Sequence, residues 1–406
     1  MFNPLPVIKA ELKRSIAGSV AIIILIAIAT ALTVGITSQE RALRKGSTHA
    51  AHDFDIIIGA PGNPTQLLLS TVYLQLSSMK LMPGRVLQEL QKDKGVDFAA
   101  PIAFGDHYRD HLIIGATRDL ATLGSKRNVR EGRCFQSRFE AVIGADVRLA
   151  VGEQFIPVHG HNAEHNHIKE KGGHNEHEGT EYVIVGRMQK LGTPWDRAIL
   201  VPVESIWDIH GLYHSKDEKI GPPWDGEIPG VPAIVVKPKT FSDAYSIRSR
   251  YNTKDTIAIF PADVLLKLYD LLGDIRNVVT AMSIVTQTLV LTSIVLIIFI
   301  MLNYRQKQIA VLRALGATQG YIFFTVWLYT TILVVAGTGF GLIGGWLTAH
   351  IFTKLFSAKT GLHLPVVITY RELILTISII ILGMLIAFIP AWMAYRRPVA
   401  ENLKMQ

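Results

Sequence analysis

Six of the chain's fourteen histidines crowd into one short stretch: His159, His161, His165, His167, His174 and His177, interleaved with Glu164, Glu170, Glu176 and Glu178. Neutral imidazoles and carboxylates are ligands for Zn²⁺, and also for Cu²⁺ or Ni²⁺. The stretch 159–181 is polar and nearly devoid of apolar residues, so it predicts an insertion between two strands with affinity for a transition metal, zinc above all. Nothing in the spacing fixes a coordination geometry, and the same composition also suits a solvated loop with no role. Two further pairs, His107 with His111 and His210 with His214, share a face only where their segments are helical. The one cysteine, Cys134, excludes an intramolecular disulfide and any Cys-pair metal or redox motif, and reads as a small buried apolar residue. Acids and histidines elsewhere show no recognisable catalytic spacing, which predicts a non-catalytic chain.

Nucleotide chemistry fares no better. The phosphate-binding pattern GxxxxGK[ST] is absent, and no Gly-Lys pair occurs anywhere. A literal GxGxxG stands at Gly339, Gly341 and Gly344, but inside an apolar run rather than between a strand and a helix, so it is not a dinucleotide fingerprint. Gly337, Gly341 and Gly345 recur every four residues and line one helix face, a stripe that lets two helix backbones approach closely. That approach is either within one bundle or across a dimer.

The elements that carry these residues follow from hydropathy. Of 406 residues 49% are hydrophobic and the mean hydropathy is +0.29, together too apolar for an ordinary soluble protein, and the excess sits in four long runs. The net charge of +8 is spread along the chain and flanks the apolar runs, which points to membrane lipids and not to nucleic acid. Residues 1–14, with Lys9, Lys13 and Arg14 beside Val7, Ile8 and Leu12, predict a short interfacial helix. Residues 15–38 carry no charge and predict a first span; the run continues past the small-residue site Ala27-Ile28-Ala29, so it reads as a retained helix rather than a cleaved signal. Further spans are predicted at 278–302, 321–352 and 373–395, the second of them long enough to tilt or to extend beyond the bilayer. No ionisable residue lies in the middle of any span, which argues against an autonomous ion-coupled transporter.

Between the first and second spans, residues 39–277 predict a water-exposed α+β domain, with strands at 54–58, 98–104, 111–115, 182–185, 198–201, 233–236 and 257–260 and helices at 65–76, 86–92, 203–209 and 241–251. The loop 303–320 carries Arg305, Lys307 and Arg313 with no acid, and the tail 396–406 carries Arg396, Arg397 and Lys404, which places both in the cytoplasm. Arg41, Arg44, Lys45, Lys354, Lys359 and Arg371 run against that orientation, but a domain this long translocates largely regardless of charge. The fold class is therefore a membrane protein with four transmembrane α-helices and a large α+β domain inserted between spans 1 and 2. Within 303–320, Ile309, Leu312 and Leu315 share a helical face, Gly316 suits a C′ position and Thr318 an N-cap.

The segment YRQKQIAVLRALGAT at 304–318, followed by a glycine-rich span, resembles the signature of FtsX-like ABC permeases, the superfamily of macrolide-exporter, lipoprotein-releasing and FtsX permeases. The ending IPAWMAYRRPV at 389–399 is similar to that family's last span and exit, and Glu140 to Gly144, Val151-Gly152-Glu153 and Gly192 to Ala198 look like its periplasmic landmarks. The resemblance implies a type VII ABC permease of the bacterial inner membrane: a dimer with cytoplasmic termini and a periplasmic domain, which binds a separate ATPase and transmits its cycle outward. ATP and Mg²⁺ would be bound by that ATPase, none by this chain. Arg305, Lys307, Ile309, Leu312, Arg313, Leu315 and Gly316 would then couple to the ATPase. Export or extraction of a substrate, with a periplasmic or outer-membrane partner, is the leading reading. A signalling subunit of the FtsX kind and a membrane-anchored metal sensor stay open beside it.

Overall fold

A computed structural model describes residues 3–75, 77–159, 180–213, 219–224, 226–304 and 316–396. The chain opens with helix α1 (Leu5–Arg14), which buries Ile8 and places Lys13 and Arg14 in its last turn, where cations meet the negative end of the helix dipole. Helix α2 (Ile16–Ala51) follows after Ser15 and runs unbroken through Ala27-Ile28-Ala29. It continues 13 residues past the expected end of the first span at 38. The extension is rich in good helix formers, carries a Glu40–Arg44 pair at 2.9 Å one turn apart, and buries Ala42, Ala50 and Ala51.

Isoleucine and valine runs then build the sheet. The strands are β1 (Ile56–Gly59), β2 (Val96–Tyr108), β3 (His111–Ala116), β4 (Val129–Gly132), β5 (Glu140–Ile143), β6 (Gln154–Phe155), β7 (Val158–His159), β8 (Tyr182–Met188), β9 (Ile199–Pro202), β10 (Ala233–Pro238) and β11 (Ile257–Ile259). They form one mixed sheet in the order β11-β1-β10-β2-β3-β9-β5-β8-β4, with β6 on β8 and β7 on β2. The β3–β9 and β5–β8 pairs are parallel, the others antiparallel. All seven expected strands are present; β4 to β7 are additions, of which β4 and β6 are short and partly exposed with too little apolar alternation to read, while β5 is a buried four-residue strand between β8 and β9.

Five helices cover this sheet: α3 (Pro64–Val72), α4 (Arg85–Lys92), α5 (Arg118–Thr122), α6 (Val203–Ile209) and α7 (Phe241–Arg250). Asn63, Thr117 and Thr240 cap α3, α5 and α7 through their side-chain oxygens, as short polar residues do before a helix. Helix α3 stops at Val72 and not at 76. The core runs along the sheet, with Ile56, Ile58, Leu87, Leu90, Ile113, Tyr182, Ile199 and Ile234 buried.

The chain ends in α8 (Pro261–Tyr304), α9 (Gln319–Thr360), α10 (Tyr370–Ile386) and α11 (Phe388–Arg396). Among the described residues, α2 and α9 are long and apolar enough to cross a membrane, and Glu372–Ile386 is a shorter apolar helix. The expected span 278–302 falls in α8. Helix α9 extends to Thr360 rather than 352; its 42 residues measure about 63 Å, twice an apolar bilayer core of about 30 Å. The expected 373–395 helix is interrupted at Ala387, because Pro390 has no N–H to offer the Ile386 carbonyl one turn back. The chain divides into a helical unit (Met1–Arg44, Leu271–Leu355 and Leu364–Gln406) and a sheet unit (Lys45–Asp270 and Phe356–His363).

Candidate functional site

In the helical unit the glycine stripe of α9 lies against α2. A Cβ on Gly337 would fall 2.7 Å from Ile26 Cβ, one on Gly341 2.5 Å from Thr30 Cβ and 2.7 Å from the Ala27 carbonyl, and one on Gly345 2.8 Å from the Ala31 carbonyl. Carbon atoms do not approach so closely, so all three positions need hydrogen where other residues carry Cβ. Gly339, from the same literal motif, has open space around it. Next to the stripe, Ser19 Oγ of α2 and Tyr329 OH of α9 satisfy each other in the buried seam at 2.8 Å, and Trp327 Nε1 of α9 donates to the Met384 carbonyl of α10 at 3.1 Å. The stripe thus packs within the chain.

A second feature of this unit is an ion pair with no sequence signal of its own. Glu372 is 1% exposed and holds Arg41 of α2, whose other terminal nitrogen donates to the Val367 carbonyl at 2.8 Å. The same carboxylate accepts from the Thr369 backbone N–H at 2.9 Å, closing a capping box at the start of α10. Sequence reading had only charge counts for Arg41; the Thr-x-x-Glu spacing at 369–372 is the signal that marks the cap.

The sheet unit contains a hub built on the 3-10 turn Pro194–Arg197. Asp196 is 1% exposed and accepts from the backbone N–H groups of Leu191 at 2.8 Å and Gly192 at 2.6 Å, which fixes the loop before it. Burial raises its carboxyl above the ordinary aspartate value, with the Leu191 and Gly192 N–H groups pulling the other way and Asp146 adding to the rise. Trp195 donates Nε1 to the Val72 carbonyl at 3.2 Å and packs on Phe54. Gly144 and Asp146 donate to the carbonyls of Ala198 and Asp196 at 2.9 and 2.8 Å, so the segments 140–144 and 192–198 meet in space. The end of α9 closes the hub. Arg197 Nη1 donates to the carbonyls of Ala358 and Lys359 at 3.0 Å each, capping the last turn of that helix, and His363 N–H donates to the Gly192 carbonyl at 2.9 Å. Gly361 turns the chain there with φ +72°.

Nearby, Glu140 is clamped by both terminal nitrogens of Arg133 at 2.5 and 2.6 Å and by the Gln136 N–H at 2.7 Å. Arg133 is the main reason its carboxyl is lowered to about 2. The folded value lies below the ordinary 4.5, so the stabilisation is complete above that value and is lost as pH falls towards 2. Thermal unfolding between pH 6 and pH 2.5 should therefore show wild type losing stability faster than Glu140→Gln, with the two curves converging at the acid end.

Other predicted residues scatter. His159 belongs to β7, whose backbone pairs it with Asp106; His161, His165, His167, His174 and His177 lie outside the described residues. Among the described residues no three His, Cys, Asp or Glu groups converge to hold a metal. His107 and His111 stand on the two strands of a hairpin, β2 and β3, and so do not share a helix face; His111 Nδ1 lies 3.0 Å from the Arg197 carbonyl. His210 Nε2 lies 3.8 Å from Asp106, and His214 is outside the described residues. Cys134 is half-buried rather than buried, and burial pushes its thiol up, away from thiolate chemistry. Arg305, Lys307, Ile309, Leu312, Arg313 and Leu315 also fall outside the described residues. Gly316, just after them, has φ +97°, and the Thr318 hydroxyl accepts from the Tyr321 N–H at 3.3 Å at the start of α9.

Residues 280–399 match the family described as FtsX-like permease C-terminal. This part of the chain is an FtsX-like permease domain. The glycine stripe, Glu372 and the interrupted α10–α11 helix all lie inside the FtsX-like domain; Asp196 and Arg197 lie outside it, yet Arg197 caps a helix that belongs to it. No curated protein matches the chain. Among solved structures, the periplasmic region of MacB from Actinobacillus actinomycetemcomitans is 9% identical over 55% of this chain and 95% of that one, with a TM-score of 0.34. The extracellular domain of the noncanonic ABC-type transporter YknZ from Gram-positive bacteria is 11% identical over 50% of this chain and 98% of that one, with a TM-score of 0.31.

Proposed function

We propose that the chain is the permease subunit of a type VII ABC transporter in a bacterial inner membrane, itself non-catalytic, paired with a second permease copy and driven by a separate ATPase. The FtsX-like domain supports the permease assignment. The observation that carries the mechanical part of the reading is the capped end of α9. One helix begins three residues after Gly316, next to the amphipathic segment 305–315, and ends under Arg197 of the sheet unit. An ATPase that displaces the segment 305–315 moves the start of α9, and a hydrogen-bonded α-helix passes displacement along its axis to the Gly192 and Arg197 contacts. The sheet unit, on the outer face, then changes its hold on a substrate to be exported or extracted.

Coexpression with the cognate ATPase tests both ends. Leu312→Glu should abolish copurification of the ATPase. In the wild-type complex, ATP should change amide hydrogen exchange across residues 191–198, and in Arg197→Ala the ATPase should still copurify while that change disappears. Retained copurification in Leu312→Glu, or an exchange pattern at 191–198 indifferent to ATP, overturns the reading.

A further inference from the structure

The sheet unit holds a cleft of about 620 Å³ between α7, the C-terminal turn of α2 and the first turn of α8. Its size falls among small-molecule sites, which run from about 300 to 1,000 Å³. One wall is a ledge of aromatic rings. Phe241 and Tyr245 meet edge to face with centroids 5.0 Å apart, Tyr245 and Phe260 likewise at 5.1 Å, and the Arg248 guanidinium sits 4.6 Å from the centre of the Phe260 ring. The rings hold one another in place, so the ledge is organised before anything binds. Yet Phe241 is 80% exposed and Tyr245 52%. Phe241 is kept there by the first turn of α7, where the Thr240 hydroxyl accepts from the Asp243 N–H at 3.1 Å. A phenyl ring fixed in water at a helix start gives the fold no burial, and its use lies in what it can cover.

The charges around the cleft set the sign of that occupant. Each carboxylate in its lining is already held by a cation: Asp55 by Lys237, and Asp263 by Arg248 at 2.7 Å. His52, at the mouth, lies 3.3 Å from Asp53, which is in turn held by Arg127 at 2.6 Å. Lys239 is exposed on the rim beyond these pairs and leaves the lining with an ammonium in surplus. We infer that this cleft binds a small amphipathic carboxylate, with its apolar body on the Phe241–Tyr245–Phe260 ledge and its carboxylate on Lys239. This goes beyond the transport reading and does not depend on it.

The test uses the full chain in lipid nanodiscs, with empty nanodiscs as the blank, and 2-naphthoate as the probe in calorimetry. The expected result is saturable binding, weakened about tenfold by Phe241→Ala and by Tyr245→Ala, since each removes one face of an aromatic contact. The neutral 2-naphthylmethanol should bind about tenfold more weakly than the acid, and Lys239→Glu should reverse the preference in favour of 2-naphthylmethylammonium. All three side chains are exposed, so unchanged unfolding midpoints will show that the variants fold. No saturable binding above the blank, binding indifferent to the ring and lysine variants, or equal affinity for acid and alcohol each overturns the inference.

Discussion

Gly341→Ala should lower the unfolding midpoint of the purified protein, while Gly339→Ala, two residues away on the same helix, should leave it unchanged or raise it slightly. The two substitutions are chemically identical and both replace a poor helix former by the best one, so propensity alone predicts a gain of about 1 kcal/mol at each. Packing separates them. The new methyl at 341 would sit 2.5 Å from Thr30 Cβ and 2.7 Å from the Ala27 carbonyl, and neither is the free end of a flexible side chain that can rotate away. Relief requires α9 to move off α2, which takes Gly337 and Gly345 out of their contacts with Ile26, Ala31 and Val34 as well. Overpacking of this kind costs about 1–3 kcal/mol where neighbours can yield, and the upper end applies where backbone is the obstacle. At 339 a methyl meets nothing. Gly344→Ala, with only Ala31 Cβ at 3.6 Å, should resemble Gly339→Ala. If 339 and 341 respond alike, the stripe is not a close-packing face.

That contrast also shows how far sequence reading reaches. A period of four glycines names a face, and the face is the one that packs; whether it meets the same chain or another depends on the position of α2, which no local pattern encodes. The seven strands with apolar runs were readable because burial on both sides selects Val and Ile, as in Ile56-Ile57-Ile58. Strand β4, with the sequence Val-Arg-Glu-Gly, was not, because an edge strand needs no apolar face. Helix limits differ where the cause lies outside the hydropathy window: α2 outlasts its apolar run because Ala, Gln, Glu, Arg and Lys, which make up most of residues 39–51, continue a helix about as well as Leu does, and α10 stops early because of a proline four residues on. The hub at 192–197 was visible only as a family-like string. Its meaning depends on Asp196 folding its carboxylate onto two N–H groups and on Arg197 reaching residues 358 and 359, far along the chain.

The Arg41–Glu372 pair gives the second large effect, and a double-mutant cycle separates its parts. Arg41→Ala removes the cation from a carboxylate that is 1% exposed and also frees the Val367 carbonyl. Breaking a buried pair from one side costs about 3–5 kcal/mol, and because Arg41 itself is 27% exposed the lower end applies. Glu372→Gln keeps an oxygen for the Thr369 N–H but turns an amide donor towards the guanidinium, so it should cost less than Glu372→Ala, which loses the cap too. Such a cap contributes about 1 kcal/mol. The double change Arg41→Leu with Glu372→Leu should then recover most of the loss, since an apolar pair of similar volume often replaces a buried ion pair without penalty. It should fall short of wild type by about the 1 kcal/mol of the missing cap, and adding nothing but a better apolar fit cannot restore that remainder. Unfolding midpoints of wild type, Arg41→Leu, Glu372→Leu and the double variant read out the cycle: single variants well below wild type with the double variant near it mean the pair acts by mutual neutralisation. Additive losses would mean instead that Arg41 and Glu372 each hold α2 and α10 through their backbone partners, Val367 and Thr369, and that the ion pair between them contributes little.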